Sequence, residues 1–156
     1  MGLDMYLIRK TYIGADYDHR NVTGKIDIKI NGKKIPIDFK KVVNIEEKAA
    51  YWRKANHIHK WFVDNVQDGV DECQESYVSR EQLQNLCDVC RLVLNSKGKK
   101  GAKKIAEENL PPQKGFFFGD NKIDDYYYDD IKYTLDTLFP LLVTDAGGDF
   151  CYRASW

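Results

Sequence analysis

One stretch of the chain, residues 51–62, combines residue types that could bind an anion with the spacing of a helix. At about 100° per residue, counted from residue 45, one apolar stripe forms along this stretch. Its members are Tyr51, Ala55, Ile58, Phe62 and Val66. His59 falls near the middle of the stripe, Asn56 lies at its edge, and His57 lies on the polar side. A buried imidazole or amide without a partner costs about 1–3 kcal/mol, so both groups need an internal partner or a ligand.

Two interpretations of this pattern are open. In the structural interpretation, His59 is a core histidine with an internal hydrogen-bond partner, as buried polar groups usually are. In the functional interpretation, Trp52, Asn56 and His59 line a pocket whose mouth carries Arg53. The guanidinium of Arg53 offers a planar fork of donors to an anionic group. Arg153, near the end of the chain, is a second candidate for the same anion.

Three aromatic residues are candidates for a contact surface. Trp61 falls on the polar face of the same predicted helix, and Tyr126 and Tyr127 lie off the apolar stripe of a later one. Exposed rings beside cationic side chains suit either stacking on a base or burial against another protein chain, including a second copy of this one. We therefore predict that Trp61, Tyr126 and Tyr127 form an interface.

Motifs for catalysis and metal binding are missing from the sequence, which has no HExxH, GxSxG or P-loop pattern. His57 and His59, two residues apart on a helix, point about 200° away from each other and cannot chelate one metal. Cys87 and Cys90 form a CxxC, but they continue a helical apolar stripe, so we expect reduced core thiols and not a zinc site. We predict no catalytic residue, no metal site and no cofactor.

The elements that must position these residues predict one α+β domain over residues 1–156. Predicted strands are residues 3–9, 25–30, 34–39, 115–119 and 149–156, and predicted helices are residues 45–67, 79–95, 103–109 and 124–139. Asn31-Gly32 predicts a hairpin, because both residues tolerate positive φ. The expected architecture is a mixed or antiparallel sheet of about four to five strands, packed against three main helices.

The composition of the chain argues against two classes of function, nucleic-acid binding and membrane insertion. The formal net charge is zero and the pI is near 6.8, so nonspecific electrostatic binding of nucleic acid is not expected. No apolar run is as long as a membrane span, and the first residues lack the basic and apolar regions of a signal peptide. We expect a cytoplasmic protein that does not enter the membrane.

Several segments of the chain resemble one group of proteins. They are MGLDMYL at residues 1–7, the run at residues 51–62, YVSREQL at residues 77–83, GFFFG at residues 115–119 and YRASW at residues 152–156. Together they are similar to small accessory proteins of bacteriophages and prophages. The resemblance implies a cytoplasmic protein made in an infected bacterium, and it implies no established activity or site residues. Proteins of this size and setting include inhibitors that block a host defence protein and others that sequester nucleotide signals.

Three functions follow as hypotheses. The first is a non-catalytic binder that sequesters a nucleotide-like anionic signal and so antagonises host defence. The second is a direct inhibitor of a bacterial defence protein that uses Trp61 and neighbouring aromatic residues as anchors. The third is a small hydrolase that uses His59 with acidic partners. We favour the first, because it uses the polar groups on the helical stripe and requires no motif that the chain lacks.

Overall fold

The computed structural model describes residues 2–14, 17, 19–144 and 147–156 of the chain. Its strands are β1 (Asp4–Tyr12), β2 (Ile28–Ile30), β3 (Lys33–Ile35), β4 (Asn44–Arg53), β5 (Ser76–Val78) and β6 (Asp149–Ser155). Its helices are α1 (Asn56–Val66), α2 (Arg80–Ser96), α3 (Ala102–Asn109) and α4 (Asp125–Val143). The large sheet is antiparallel with strand order β4-β1-β6-β5, and β2 and β3 form a separate two-stranded sheet. The predicted α+β class is confirmed.

Alternation along β1 and β6 determines which face of the large sheet is buried, because successive strand residues point to opposite faces. Met5 and Leu7 of β1 are fully buried, and so is Tyr152 of β6, the register partner of Leu7. These side chains share one hydrophobic core with the helices. Tyr6 and Arg153, paired on the opposite face, remain at least partly exposed. The helices therefore cover the core face of the sheet.

The predicted hairpin turns at Asn31 and Gly32, both of which have positive φ, at 50° and 78°. Ile28 pairs with Ile35 at its open end. The second strand was predicted to run to residue 39, but it ends at Ile35, directly before Pro36. Proline has no N–H to donate, so it cannot extend the ladder.

The predicted helix over residues 45–67 is wrong in its first half. Residues of β4 pair with β1 along its length, with Trp52 opposite Met5 and Thr11 opposite Ile45, and the helix begins only at Asn56. Lys54 lies between the two elements with a left-handed φ of 61°. Tertiary pairing with a long central strand has overridden the helical propensity of the Glu, Lys and Ala residues in this segment.

Two further helices begin as predicted. Ser79 and Gln82 form the capping box of α2, with the Ser79 hydroxyl accepting from the Gln82 N–H at 3.1 Å and the Gln82 side chain accepting from the Ser79 N–H at 2.9 Å. Asp124 caps α4 through the Tyr127 N–H at 3.2 Å. The end of α4 was predicted at residue 139, but the helix includes Pro140 and continues to residue 143.

The predicted strand over residues 115–119 is a turn. The Phe118 N–H donates to the Gly115 carbonyl at 3.2 Å, and the Phe117 carbonyl accepts from the Leu3 N–H at 3.1 Å. Phe118 is buried, whereas Phe116 is almost fully exposed. Three apolar residues between glycines are too few to distinguish a strand from a turn that anchors one ring in the core.

The thiols of Cys87 and Cys90 are free and buried in α2, as the sequence predicts for core residues. Burial raises the pKa of the Cys87 thiol to about 11 and raises that of Cys90 further. A thiol with a raised pKa is a poor nucleophile and a poor metal ligand at neutral pH.

Candidate functional site

His59 is fully buried and both of its ring nitrogens have internal partners. Nδ1 lies 2.7 Å from the Tyr152 hydroxyl, and Nε2 lies 3.0 Å from a carboxylate oxygen of Asp71. Burial lowers the pKa of His59, and the bond to Asp71 partly opposes this effect. The ring links α1 to β6 and to the loop at residue 71. The geometry fits the structural interpretation of His59, because a ligand could reach it only by displacing one of these partners.

Trp52 and Asn56 are also occupied by internal hydrogen bonds. The Trp52 indole N–H donates to the Thr134 hydroxyl at 2.8 Å. The Asn56 amide donates to the carbonyls of Phe118 at 3.1 Å and Asp120 at 2.9 Å, and its oxygen accepts from the Gln113 N–H at 3.2 Å. Asn56 therefore holds the segment of residues 113–120 against the start of α1. It supports a neighbouring cleft without facing it.

That cleft lies where β4 ends and where α1 and α4 begin, and its volume is about 580 Å³. Its lining residues are Arg53, Lys54, His57, Gly119, Asp120, Lys122, Asp124, Tyr126, Tyr127 and Asp130. This volume lies within the usual range for small-molecule sites, roughly 300–1,000 Å³. The residues come from two stretches of the chain, residues 53–57 and 119–130, which the turn at Lys54 and the hydrogen bonds of Asn56 bring together.

His57 is the unusual group of the cleft wall. Its side chain is 3% exposed, and its Nε2 has no hydrogen-bond partner among the described residues. Burial lowers the pKa of His57 to about 3, so the ring is neutral at physiological pH. It lies against Tyr127, with 4.2 Å between the ring centroids. A buried polar atom without a partner is rare in native proteins, and a functional role is one explanation for it.

His57 is not among the predicted site residues, because one continuous helix from residue 45 puts this side chain on the polar face. In the structure α1 begins at Asn56, and most of its circumference is buried. Only recognition of the break at Lys54 could have moved His57 to the inside.

Cationic groups gather at the junction of β4 and α1. Arg53 is largely exposed and lies 3.9 Å from Asp4, a distance at the limit of an ion pair. Lys54 has no ion-pair partner within the described part of the chain. Its neighbour Ala55 is the N-cap of α1 and provides no side-chain cap, so the positive end of this helix dipole adds to the two charges. This junction is suited to an anionic group.

Two of the three carboxylates in the cleft have partners within the protein. Asp120 pairs with Lys122 at 2.8 Å, which lowers the pKa of the carboxyl and raises that of the lysine. Asp124 caps α4. Asp130 has no side-chain partner among the described residues, and burial, followed by the charges of Asp129 and Asp124, raises its pKa to about 6. The cleft is therefore polar, with cations at the β4–α1 junction and a single free carboxylate on α4.

The aromatic candidates separate into one exposed residue and two buried ones. Tyr126 is 81% exposed and lines the cleft. Trp61 and Tyr127 were predicted to be exposed, and this is wrong: Trp61 packs edge-on against Phe62, and the Tyr127 hydroxyl donates to the Leu110 carbonyl at 2.9 Å. Burial around most of α1 and close packing at the start of α4 explain both corrections.

Arg153 does not join Arg53. It lies on the outer face of the sheet, with its guanidinium 5.5 Å from the centroid of the Tyr6 ring. It lines a different cleft of about 430 Å³, together with Tyr6, Cys73, Ala154 and Ser155. None of these residues lines the cleft around His57. Of the five predicted ligand-binding residues, only Arg53 faces the cleft of His57.

Within the ranges that the structure describes, no group of three or more potential metal ligands is placed to hold an ion. The helices of the same ranges include none with the length and apolar character needed to cross a bilayer. Comparison of the chain with protein-family models, with curated proteins and with solved structures found no match.

Proposed function

We propose that the protein is a non-catalytic binder of a nucleotide-like anion, and that the ligand occupies the cleft formed by the end of β4 and the beginnings of α1 and α4. The observation that carries this proposal is the neutral, buried His57, whose Nε2 lacks a partner in the wall of a cleft bordered by Arg53 and Lys54. His57, Arg53 and Lys54 all line this one cleft.

The anionic group of the ligand fits the junction of β4 and α1. Arg53 supplies a planar set of donors, Lys54 supplies a mobile positive charge, and the start of α1 supplies the positive end of a helix dipole. Hydrogen bonds to charged groups contribute about 1.5–3 kcal/mol each, more than neutral ones. Phosphate is the anion for which this combination is best suited.

A planar group of the ligand fits the aromatic side of the cleft. Tyr126 presents a ring that is mostly solvent-exposed in the free protein. Stacking of a base on an aromatic ring contributes about 1–3 kcal/mol. An anionic group and a stacking base, within a volume of about 580 Å³, describe a nucleotide-sized ligand.

Binding without turnover is favoured over hydrolysis by the chemistry of the lining. Among the described residues, those that line the cleft include no serine, threonine or cysteine that could act as a nucleophile. The pKa of His57, lowered to about 3, makes this imidazole a weak general base at neutral pH. The hydrolase hypothesis relied on His59, which is fully buried and bonded on both sides.

The resemblance to accessory proteins of bacteriophages supports a setting for this binding. In an infected bacterium, a protein that sequesters a nucleotide signal would withhold it from the host's defence enzymes. The alternative, direct inhibition of a defence protein, has less support, because two of its three predicted anchors, Trp61 and Tyr127, are buried.

The test is isothermal titration calorimetry with guanosine and adenosine 5′-monophosphates and triphosphates, and with inorganic phosphate. Arg53→Ala should weaken nucleotide binding by about 10- to 150-fold, which corresponds to one lost charge-assisted contact. Arg153→Ala is the matched control, because it removes an exposed arginine near the end of another strand, outside the cleft. Absence of nucleotide binding, or equal losses in the two variants, would contradict the proposal.

A further inference from the structure

We infer that the cleft selects among nucleotides through Asp130, which favours a base with two adjacent N–H donors, as guanine has, over adenine. This inference rests on the proposed function and adds the ligand's base to it. It concerns the carboxylate of Asp130 on α4, which lines the cleft together with Arg53 and Lys54.

Asp130 is the one lining carboxylate that has no partner within the described residues. Asp120 is paired with Lys122, and Asp124 accepts from the backbone at the start of α4. Asp130 receives neither an ion pair nor a hydrogen bond at its side chain. A ligand in the cleft therefore meets two free carboxylate oxygens, each with lone pairs to accept donors.

Asp130 of α4 and His57 of α1 line the same cleft. Tyr127 and Asp130 are three residues apart on the helix and so share a face. Tyr127 is also the residue against which the His57 ring packs, with 4.2 Å between centroids. His57 and Asp130 are thus both neighbours of Tyr127. On the α4 side of the cleft, the carboxylate of Asp130 is therefore available to accept hydrogen bonds from a ligand.

Guanine can donate two adjacent N–H groups to this carboxylate, and adenine cannot. On its Watson–Crick edge guanine presents the ring N1–H and the exocyclic N2–H side by side, which matches the two oxygens of a carboxylate. Adenine presents one exocyclic donor beside the N1 lone pair, which faces a carboxylate oxygen unfavourably.

The state of Asp130 in the free protein favours the same ligand. Burial and nearby negative charge raise its pKa to about 6, which means that the carboxylate is poorly stabilised before a ligand arrives. Two N–H donors supply the missing stabilisation, whereas a lone pair increases the repulsion. Selection of this kind discriminates strongly, because the wrong base leaves a polar group of the site without a partner.

The experiment compares dissociation constants for guanosine, inosine and adenosine 5′-monophosphates at about pH 8, where Asp130 is ionised. We expect the guanosine nucleotide to bind at least about tenfold more tightly than the adenosine nucleotide, with the inosine nucleotide between them, since inosine keeps N1–H and lacks the amino group. The inosine arm removes one donor from the ligand, so it needs no protein variant.

Asp130→Asn should reduce the preference for guanosine to less than about threefold, because an amide offers only one acceptor oxygen. Asp129→Asn is the matched control, since this exposed neighbour does not line the cleft, and it should keep the preference. Equal affinities for the guanosine and adenosine nucleotides, or a preference that persists in Asp130→Asn, would overturn the inference and leave the proposed function standing. Failure of every nucleotide to bind would overturn both.

Discussion

Acidification should destabilise the protein through His57, because this histidine cannot accept a proton where it is buried. Burial lowers its pKa in the folded state from 6.5 to about 3. Between these two values the unfolded chain binds a proton at this position and the folded chain does not. The contribution of neutral His57 to the free energy of unfolding is therefore fully present above pH 6.5, and it is lost progressively as the pH falls towards 3.

The magnitude follows from the size of the shift. Each pH unit below the unfolded pKa of 6.5 costs about 1.4 kcal/mol until the folded pKa is reached. Between pH 7 and pH 5 the free energy of unfolding should therefore fall by about 2 kcal/mol because of His57 alone. Solvent screens this effect only weakly, because His57 is 3% exposed.

Urea denaturation at about pH 7, 6 and 5 measures this loss in the wild-type protein and in His57→Phe, which cannot titrate. His19→Gln is the control, because His19 is exposed. We expect the pH dependence of His57→Phe to be shallower than that of the wild type by about 2 kcal/mol over this range, and that of His19→Gln to be unchanged. The difference between variants cancels other groups such as His59. Parallel pH dependence in wild type and His57→Phe would refute the reasoning.

Three further predictions concern the stability and packing of the fold. Asn56→Ala should lower the free energy of unfolding by about 3 kcal/mol or more, since it leaves two carbonyls and one N–H without partners; a loss under about 1 kcal/mol in urea denaturation would contradict this. Ser79→Ala should cost about 1 kcal/mol through loss of the α2 capping box, and no change in the urea midpoint would contradict it. In a thiol-reagent assay on the native protein, exposed Cys73 should react, whereas Cys87 and Cys90 should react only after denaturation; fast native labelling at either buried thiol would show that α2 is packed differently.

Short-range sequence signals correctly predict one turn and the starts of two helices. The Asn31-Gly32 turn, the Ser79 cap of α2 and the Asp124 start of α4 each rest on a side chain or backbone preference that acts within a few residues. The structure has all three where the sequence predicts them. The free, buried thiols of α2 follow equally from its helical stripe.

Pairing between strands that are distant in sequence determines the secondary structure of residues 44–53, which local signals do not predict. The segment of residues 44–53 has good helix formers, yet its pairing with β1 makes it a strand and leaves only Asn56–Val66 as helix. This one change moves His57 into a cleft wall and leaves Trp61 inside. Arg53, predicted at the mouth of a pocket, does line a cleft, but the histidine that lines the same cleft is His57 and not His59. A break formed by a lysine with left-handed φ has no strong signal in a single sequence.

The most direct test of the proposed binding cleft is a two-dimensional ¹H–¹⁵N NMR titration of the protein with guanosine 5′-monophosphate. Binding in the cleft should shift the backbone amides of residues 53–58, 119–124 and 126–130, which surround it. The amides of residues 6, 73 and 153–155 border the separate cleft on the outer face of the sheet and should remain in place. Shifts confined to this second set, or no shifts at millimolar nucleotide, would contradict the proposed nucleotide site.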